Sequence, residues 1–146
     1  MKQHEVALTV KAVVVNKNDE VLLLRRSGDK EKFHGGCYDL PGGYLDEGDR
    51  INDALLREIE EETGLIVSEE DVKLICIEDF ESTDKIKGIR FLVRYSGDDL
   101  VVLSDEHDEY VWLSFDEAVT RLKIGTDYEE GKARIVAQAK KIVKEN

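Results

Sequence analysis

Three glutamates recur at helical spacing in the segment 57–64, which reads Arg-Glu-Ile-Glu-Glu-Glu-Thr-Gly. Residues three and four positions apart share one face of a helix, so Glu58, Glu61 and Glu62 are predicted to project together. Carboxylates crowded in this way repel one another, but clustered oxygen ligands are what Mg²⁺ requires. A glutamate run alone more commonly marks a solvent-facing helix, so the neighbouring residues must decide between the two interpretations.

Two glycines stand just before this segment, where Gly42 and Gly43 follow Pro41. Glycine allows a ligand to approach the main chain closely, so the carbonyls of Gly42 and Gly43 are candidate metal ligands. The N-terminus of the following helix carries unpaired N–H groups and favours an anion. Together these features predict a site in which glutamates bind a metal ion and a phosphate group lies next to that ion.

The hydrophobic pattern predicts the helix that would position these residues. Apolar residues recur at helical spacing from Ile51 to Ile59, and Gly64 stands where a left-handed helix stop belongs. We therefore expect a helix over 51–63.

Strands are predicted on both sides of this helix, because β-branched and apolar runs alternate with polar turns. Segments 6–15 and 21–24 are expected to form a hairpin, and 38–40 a short extended piece. Further strands are predicted at 73–80, 89–95, 100–103 and 110–113, with turns at 84–88 and 96–99.

Two helices are predicted to close the chain. Ser114 with Glu117 has the form of a capping box that starts a helix through about residue 122. Asp127 with Glu130 is a weaker version of the same signal, and the final helix should bury Ala133, Val136, Ala139 and Val143. The whole order predicts an α/β fold, a mixed sheet covered by helices.

Composition excludes several classes of partner. The 146 residues carry 33 acidic and 21 basic side chains, a net charge of −12, and no basic patch stands out, so no nucleic-acid polymer is expected as a partner. No apolar run is long enough to span a membrane, and the first five residues lack a secretory pattern, so the expected location is cytoplasmic. No linker divides the chain, which predicts a single domain over 1–146.

The segment 43–65 resembles the signature of the Nudix hydrolases, the MutT-like family. Gly43, five residues, Asp49 and seven residues lead into Arg-Glu-Ile-x-Glu-Glu-x-Gly-Leu. Every specified position matches except Asp49, where the signature has glutamate. This carboxylate is one methylene shorter, so its reach to Arg57 is in question. Asp49 could instead cap the helix that begins nearby.

The resemblance implies a Nudix-type α/β/α sandwich with a mixed β-sheet between helices. It also implies a Mg²⁺ cofactor, with Mn²⁺ as an alternative, and dimers are common in the family. Arg57 would hold a glutamate of the site by a charge-assisted bond. The metal ligands it implies are Glu61 and Glu62, with Glu58 as a further ligand or the group that orients water, and a backbone carbonyl of Gly42 or Gly43.

Family members commonly use one more acidic residue late in the chain, and 105–109 is the natural place for it. Glu106 is the first choice and Glu109 the second, against the alternative of a solvated acidic turn. His107 is interpreted as a surface histidine. Arg25 and Arg26 end the second strand and could bind substrate phosphates, although strand-end arginines more often form surface salt bridges.

The resemblance implies a pyrophosphohydrolase that acts on a nucleoside diphosphate linked to another group. ADP-ribose-type members carry a proline near position 80, where this chain has Phe80, and dinucleoside-polyphosphate types carry a tyrosine that 81–83 lacks. Elimination leaves a nucleoside triphosphate, cleaved to monophosphate and pyrophosphate, as the first choice. A nucleotide sugar or dinucleotide comes second. A Nudix-fold regulatory module with weak catalysis is the rival from another class.

Overall fold

The computed structural model of this chain describes residues 5–28, 35–123 and 127–145. These residues form seven strands and three α-helices, with one short 3-10 helix at Glu69–Asp71. Four strands precede the first helix, three follow it, and two helices come last. The strands are β1 Ala7–Val15, β2 Glu20–Arg26, β3 Tyr38–Asp39, β4 Gly42–Tyr44, β5 Val72–Phe80, β6 Thr83–Arg94 and β7 His107–Ser114. The helices are α1 Ile51–Thr63, α2 Phe115–Leu122 and α3 Asp127–Glu145.

The strands form one mixed sheet with β1 at its centre. The order is β3-β2-β1-β6-β5, with β4 also paired to β1 and β7 also paired to β2. β1 and β6 run parallel, and the other pairs are antiparallel. The predicted hairpin of β1 and β2 is confirmed, and β4 lies along β1 with Lys11 opposite Gly42.

Helices cover both faces of this sheet. Successive strand residues point to opposite faces, so Val14 packs with Leu55 and Ile59 of α1, while Val13 packs with Val136 of α3. These two hydrophobic cores confirm the predicted α/β/α sandwich. No helix in the described part of the chain has the length and apolar character to cross a membrane.

The predicted helices are confirmed where their side chains are described. α1 ends at Gly64, whose φ is 74° and whose N–H donates to the Glu60 carbonyl at 2.8 Å. Ser114 Oγ accepts from the Glu117 N–H at 3.2 Å and donates to Glu117 Oε1 at 2.9 Å, which makes the predicted capping box. The expected cap of α3 by Asp127 and Glu130 lies outside the described side chains.

Two predictions between α1 and α2 are wrong. The turn expected at 84–88 lies inside β6, because the parallel pairing with β1 begins at Ala7 and Ile86 and keeps the chain extended. The strand expected at 100–103 is not one. There Val101 packs into the α1 core and the Val102 N–H donates to the Thr63 carbonyl at 2.8 Å, so this apolar run covers the end of α1 instead.

Candidate active site

Glu62 is the buried member of the helix glutamates. It is 3% exposed, and its Oε1 accepts a hydrogen bond of 2.8 Å from the N–H of Gly42. Burial raises the pKa of Glu62 to about 8, although the hydrogen bond from Gly42 and the charge of Lys11 act in the opposite direction. Glu62 therefore joins α1 to the glycine strand β4.

Glu58 packs against the second glycine of β4. A Cβ atom on Gly43 would lie 2.7 Å from the Glu58 carboxyl carbon, so only glycine leaves room for this carboxylate. Burial, followed by the nearby charge of Glu61, raises the pKa of Glu58. Glu61 itself has a side chain that is 60% exposed. The three glutamates thus occupy one side of α1 at three depths, with Glu62 innermost and Glu61 facing solvent.

Arg57 connects this helix to the preceding loop through Asp49. Its two terminal nitrogens each lie 3.1 Å from an oxygen of Asp49, a bidentate pair that holds the pKa of this carboxyl below its usual value. The shorter aspartate therefore does reach Arg57. It does not cap the helix, because the N-cap residue is Arg50 and has no side-chain cap, so that expectation is wrong. Arg57 Nε also lies 3.7 Å from Glu61.

Glu106 and His107 meet Glu62 from the other side of the site. One ligand atom from each of these three residues lies within 4.8 Å of the other two. The side chain of His107 is 4% exposed, and its Nδ1 lies 3.7 Å from Glu62 Oε2. Burial lowers the pKa of His107, which keeps the ring neutral near pH 7. The interpretation of His107 as a surface residue is therefore wrong.

The position of His107 follows from strand pairing. β7 pairs with β2 so that His107 stands opposite Arg26, and an irregularity in the register falls between Arg25 and Arg26. The carbonyl of Glu106 accepts a hydrogen bond of 2.9 Å from the Ser27 N–H, which fixes the chain just before β7. This pairing turns His107 inward, a direction that the acidic stretch around it gave no reason to expect.

Glu109 and Arg25 are engaged with each other instead. Arg25 donates to Asp108 at 2.7 Å and lies 3.3 Å from Glu109, and the Tyr38 hydroxyl donates to Glu109 at 3.2 Å. Arg25 thus forms the surface salt bridges that were the alternative to phosphate binding. Of the two acidic candidates, Glu106 is the one that the fold brings to Glu62.

A buried charge cluster beside the site was missed from the sequence. Asp39 is 0% exposed and lies 2.8 Å from Lys11, 3.3 Å from Lys132 and 3.5 Å from Arg26. Burial alone would raise its pKa, but Lys11 and Lys132 hold it far below the usual range. A lone aspartate in a short strand carries no sequence signal for such a cluster, since its partners lie on β1, β2 and α3.

A cavity of about 440 Å³ opens next to this cluster. Its lining combines four cationic side chains, three acidic ones, an aromatic ring and aliphatic groups. The cations are Lys11, Arg90, Lys132 and Arg134, the acids are Glu78, Asp79 and Glu81, and the ring is Phe80. Arg90 Nε donates to Glu78 at 2.9 Å, and its guanidinium carbon lies 5.9 Å from the centre of the Phe80 ring. Lys11 faces both this cavity and Glu62, so the cavity adjoins the acidic cluster.

The cluster suits a divalent cation. Glu62 and Glu106 supply oxygen donors and His107 a nitrogen donor, and proteins use both ligand types for such ions. Nδ1 of His107 has no hydrogen-bond partner among the described residues, and an unsatisfied buried nitrogen beside two carboxylates fits a bound cation.

Comparison with known proteins assigns the family. The family model described as NUDIX domain matches residues 6–137, so the chain belongs to the Nudix family. Curated relatives that match part of this chain are named as pyrophosphatases or hydrolases. The MutT protein of Methanosarcina mazei Go1 has a similar structure, with a TM-score of 0.74, 26% identity and 99% of both chains covered.

Two curated relatives carry different substrate names. An ADP-ribose pyrophosphatase of Methanocaldococcus jannaschii is 42% identical over 53 residues, which is 36% of this chain and 30% of that protein. An RNA pyrophosphohydrolase of Novosphingobium aromaticivorans is 30% identical over 114 residues, 68% of each chain. The chain thus spans less than a third of the first relative's length, and the two names do not agree on a substrate.

Proposed function

We propose that this protein is a metal-dependent pyrophosphohydrolase whose preferred substrate is a nucleoside triphosphate, released as monophosphate and pyrophosphate. The observation that carries the proposal is the meeting of Glu62, Glu106 and His107 beside the glycine strand. A structural helix face would leave its carboxylates in water, whereas Glu62 is 3% exposed at a desolvation cost that a bound cation offsets.

The residues of the site divide into three tasks. Glu62 and Glu106 would hold the cation, together with Glu61 and a carbonyl of Gly42 or Gly43. When bound, Mg²⁺ supplies charge for the phosphate oxygens and lowers the pKa of water. Glu58, which is half-buried and has a raised pKa, would orient the attacking water and accept its proton.

Arg57 would act by positioning. Its bidentate pair with Asp49 fixes the guanidinium, which then lies 3.8 Å from Glu58 and 3.7 Å from Glu61. A fixed positive charge at this place would keep both carboxylates oriented between turnovers.

The cavity supports an anionic, aromatic ligand. Lys11, Lys132 and Arg134 offer positive charge to phosphate groups, and Phe80 offers a face on which a nucleobase can stack. Its volume of about 440 Å³ lies within the range of small-ligand sites. Arg25 and Arg26 remain secondary candidates for phosphate binding, because neither lines this cavity.

ADP-ribose, a nucleoside diphosphate linked to a sugar, is the second candidate substrate. It is favoured by the 42% identity to an ADP-ribose pyrophosphatase over 53 residues. The lack of a proline at Phe80 speaks against it.

A substrate panel with Mg²⁺ tests both candidates. Purified protein is given nucleoside triphosphates, ADP-ribose and a dinucleoside polyphosphate, and the products are resolved by anion-exchange chromatography. The proposal predicts monophosphate and pyrophosphate from a triphosphate, with at least ~100-fold slower turnover by Glu62→Gln. Faster cleavage of ADP-ribose to AMP would move the assignment to the second candidate. Nucleotide binding with no product from any substrate would favour a regulatory module.

A further inference from the structure

His107 has a buried ring nitrogen that makes no hydrogen bond to the described residues. This residue begins β7 with a side chain that is 4% exposed, and its Nδ1 has no hydrogen-bond partner among the described residues. The nearest charged oxygen, Oε2 of Glu62, lies 3.7 Å away, which is too far for a hydrogen bond. Buried polar atoms are nearly always satisfied, so such an exception points to a missing partner.

The spacing of the surrounding donors fits one cation. Donors bound at about 2.1 Å to a single ion lie about 3 Å apart when adjacent and about 4.2 Å apart when opposite. The separation of 3.7 Å between Nδ1 and Glu62 Oε2 falls between these values, and a carboxylate oxygen of Glu106 lies within 4.8 Å of one ligand atom of Glu62 and one of His107. Small side-chain adjustments would therefore bring all three onto one ion.

We propose that His107 is a metal ligand through Nδ1, in a divalent-cation site that it shares with Glu62 and Glu106. The inference deepens the proposed function, on which it rests, by giving the site a nitrogen donor beside its oxygen donors. Mg²⁺ strongly prefers oxygen, whereas imidazole suits the later transition metals. The ratio of the affinity for Co²⁺ or Ni²⁺ to the affinity for Mg²⁺ should therefore be higher at this site than at a site made of oxygen ligands only.

Pulsed electron paramagnetic resonance of the Mn²⁺-loaded protein tests this ligand directly. We expect modulation from a coordinated ¹⁴N nucleus in the wild type, lost in His107→Gln and retained in His34→Gln, a matched control elsewhere in the chain. Absence of nitrogen modulation in the wild type would overturn the proposal without any variant. Persistence of the same signal in His107→Gln would overturn it as well.

Metal titration provides the second readout. By calorimetry, His107→Gln should weaken Co²⁺ binding at least ~10-fold and Mg²⁺ binding less than ~3-fold. Equal losses for both cations would mean that His107 only orients Glu62, and the ligand assignment would fail. Circular dichroism of the metal-free variant checks that the fold is retained.

The two proposals fail in different ways. Hydrolysis of a nucleotide without nitrogen modulation refutes the ligand role of His107 and leaves the proposed function intact. Nitrogen modulation without hydrolysis of any nucleotide refutes the proposed function and shows a metal site with another use.

Discussion

Replacing Glu62 by glutamine should stabilise the metal-free protein, and by more at high pH. The folded pKa of Glu62 is about 8, against 4.5 for an ordinary glutamate. When the folded pKa of a carboxyl is raised, the folded protein has its highest free energy of unfolding below pH 4.5. That free energy then falls as the pH rises towards 8, because the folded state must either keep the proton or bury a charge. Glutamine has no proton to lose, and its side-chain oxygen can still accept the hydrogen bond from Gly42.

The magnitude follows from the two pKa values. Relative to a neutral side chain, Glu62 should lower the free energy of unfolding by about 1 kcal/mol at pH 5 and by about 4 kcal/mol at pH 8. One pKa unit corresponds to about 1.4 kcal/mol. We therefore expect the advantage of Glu62→Gln to grow by about 3 kcal/mol over this range.

Urea denaturation in the presence of a chelator, repeated from pH 5 to pH 9, measures this difference. Glu61→Gln is the matched control, since that side chain is 60% exposed and should change the free energy of unfolding by less than ~0.5 kcal/mol at each pH. A loss of stability in Glu62→Gln, or a gain that does not change with pH, would refute the reasoning and indicate a structural role for this carboxylate.

Four further variants probe the neighbouring residues. Glu106→Gln should lower kcat at least ~100-fold and Glu109→Gln less than ~3-fold in the pyrophosphate-release assay, and equal losses would contradict the choice of Glu106. Gly43→Ala should weaken Mg²⁺ binding about 10-fold in calorimetry, because its Cβ displaces the Glu58 carboxylate; unchanged binding would refute this. Asp39→Asn should lower the free energy of unfolding by about 3 kcal/mol, because it removes the buried charge that pairs with Lys11 and Lys132; a urea-measured loss below about 1 kcal/mol would argue otherwise.

Much of the fold could be predicted from local patterns in the sequence. The helix 51–63 was predictable because its apolar spacing and Gly64 act within a few residues of one another, and the observed α1 has these bounds. The sequence left open whether the shorter carboxylate of Asp49 reaches Arg57, and the structure shows that it does.

Long-range pairings explain what the sequence did not reveal. The inward direction of His107 depends on its place opposite Arg26, and the burial of Asp39 depends on Lys132 in the last helix. Neither contact produces a periodic pattern of residues in the sequence. The strand predicted at 100–103 was wrong for a related reason, since Val101 and Val102 pack over the end of α1 and do not pair with a strand.

The parallel pairing of β1 with β6 has a consequence for how the molecule acquires its shape. Ala7 stands beside Ile86, 79 positions later, and Glu20 beside Ser114, 94 positions later. During synthesis β1 can pair early with β2, but its parallel partner β6 is complete only after Arg94 has been made. Contacts between such distant positions slow folding, so refolding from denaturant should be slower than for a helical bundle of equal length. Hydrogen exchange during refolding should protect the α2–α3 helix pair before the central strand, and the reverse order would contradict this.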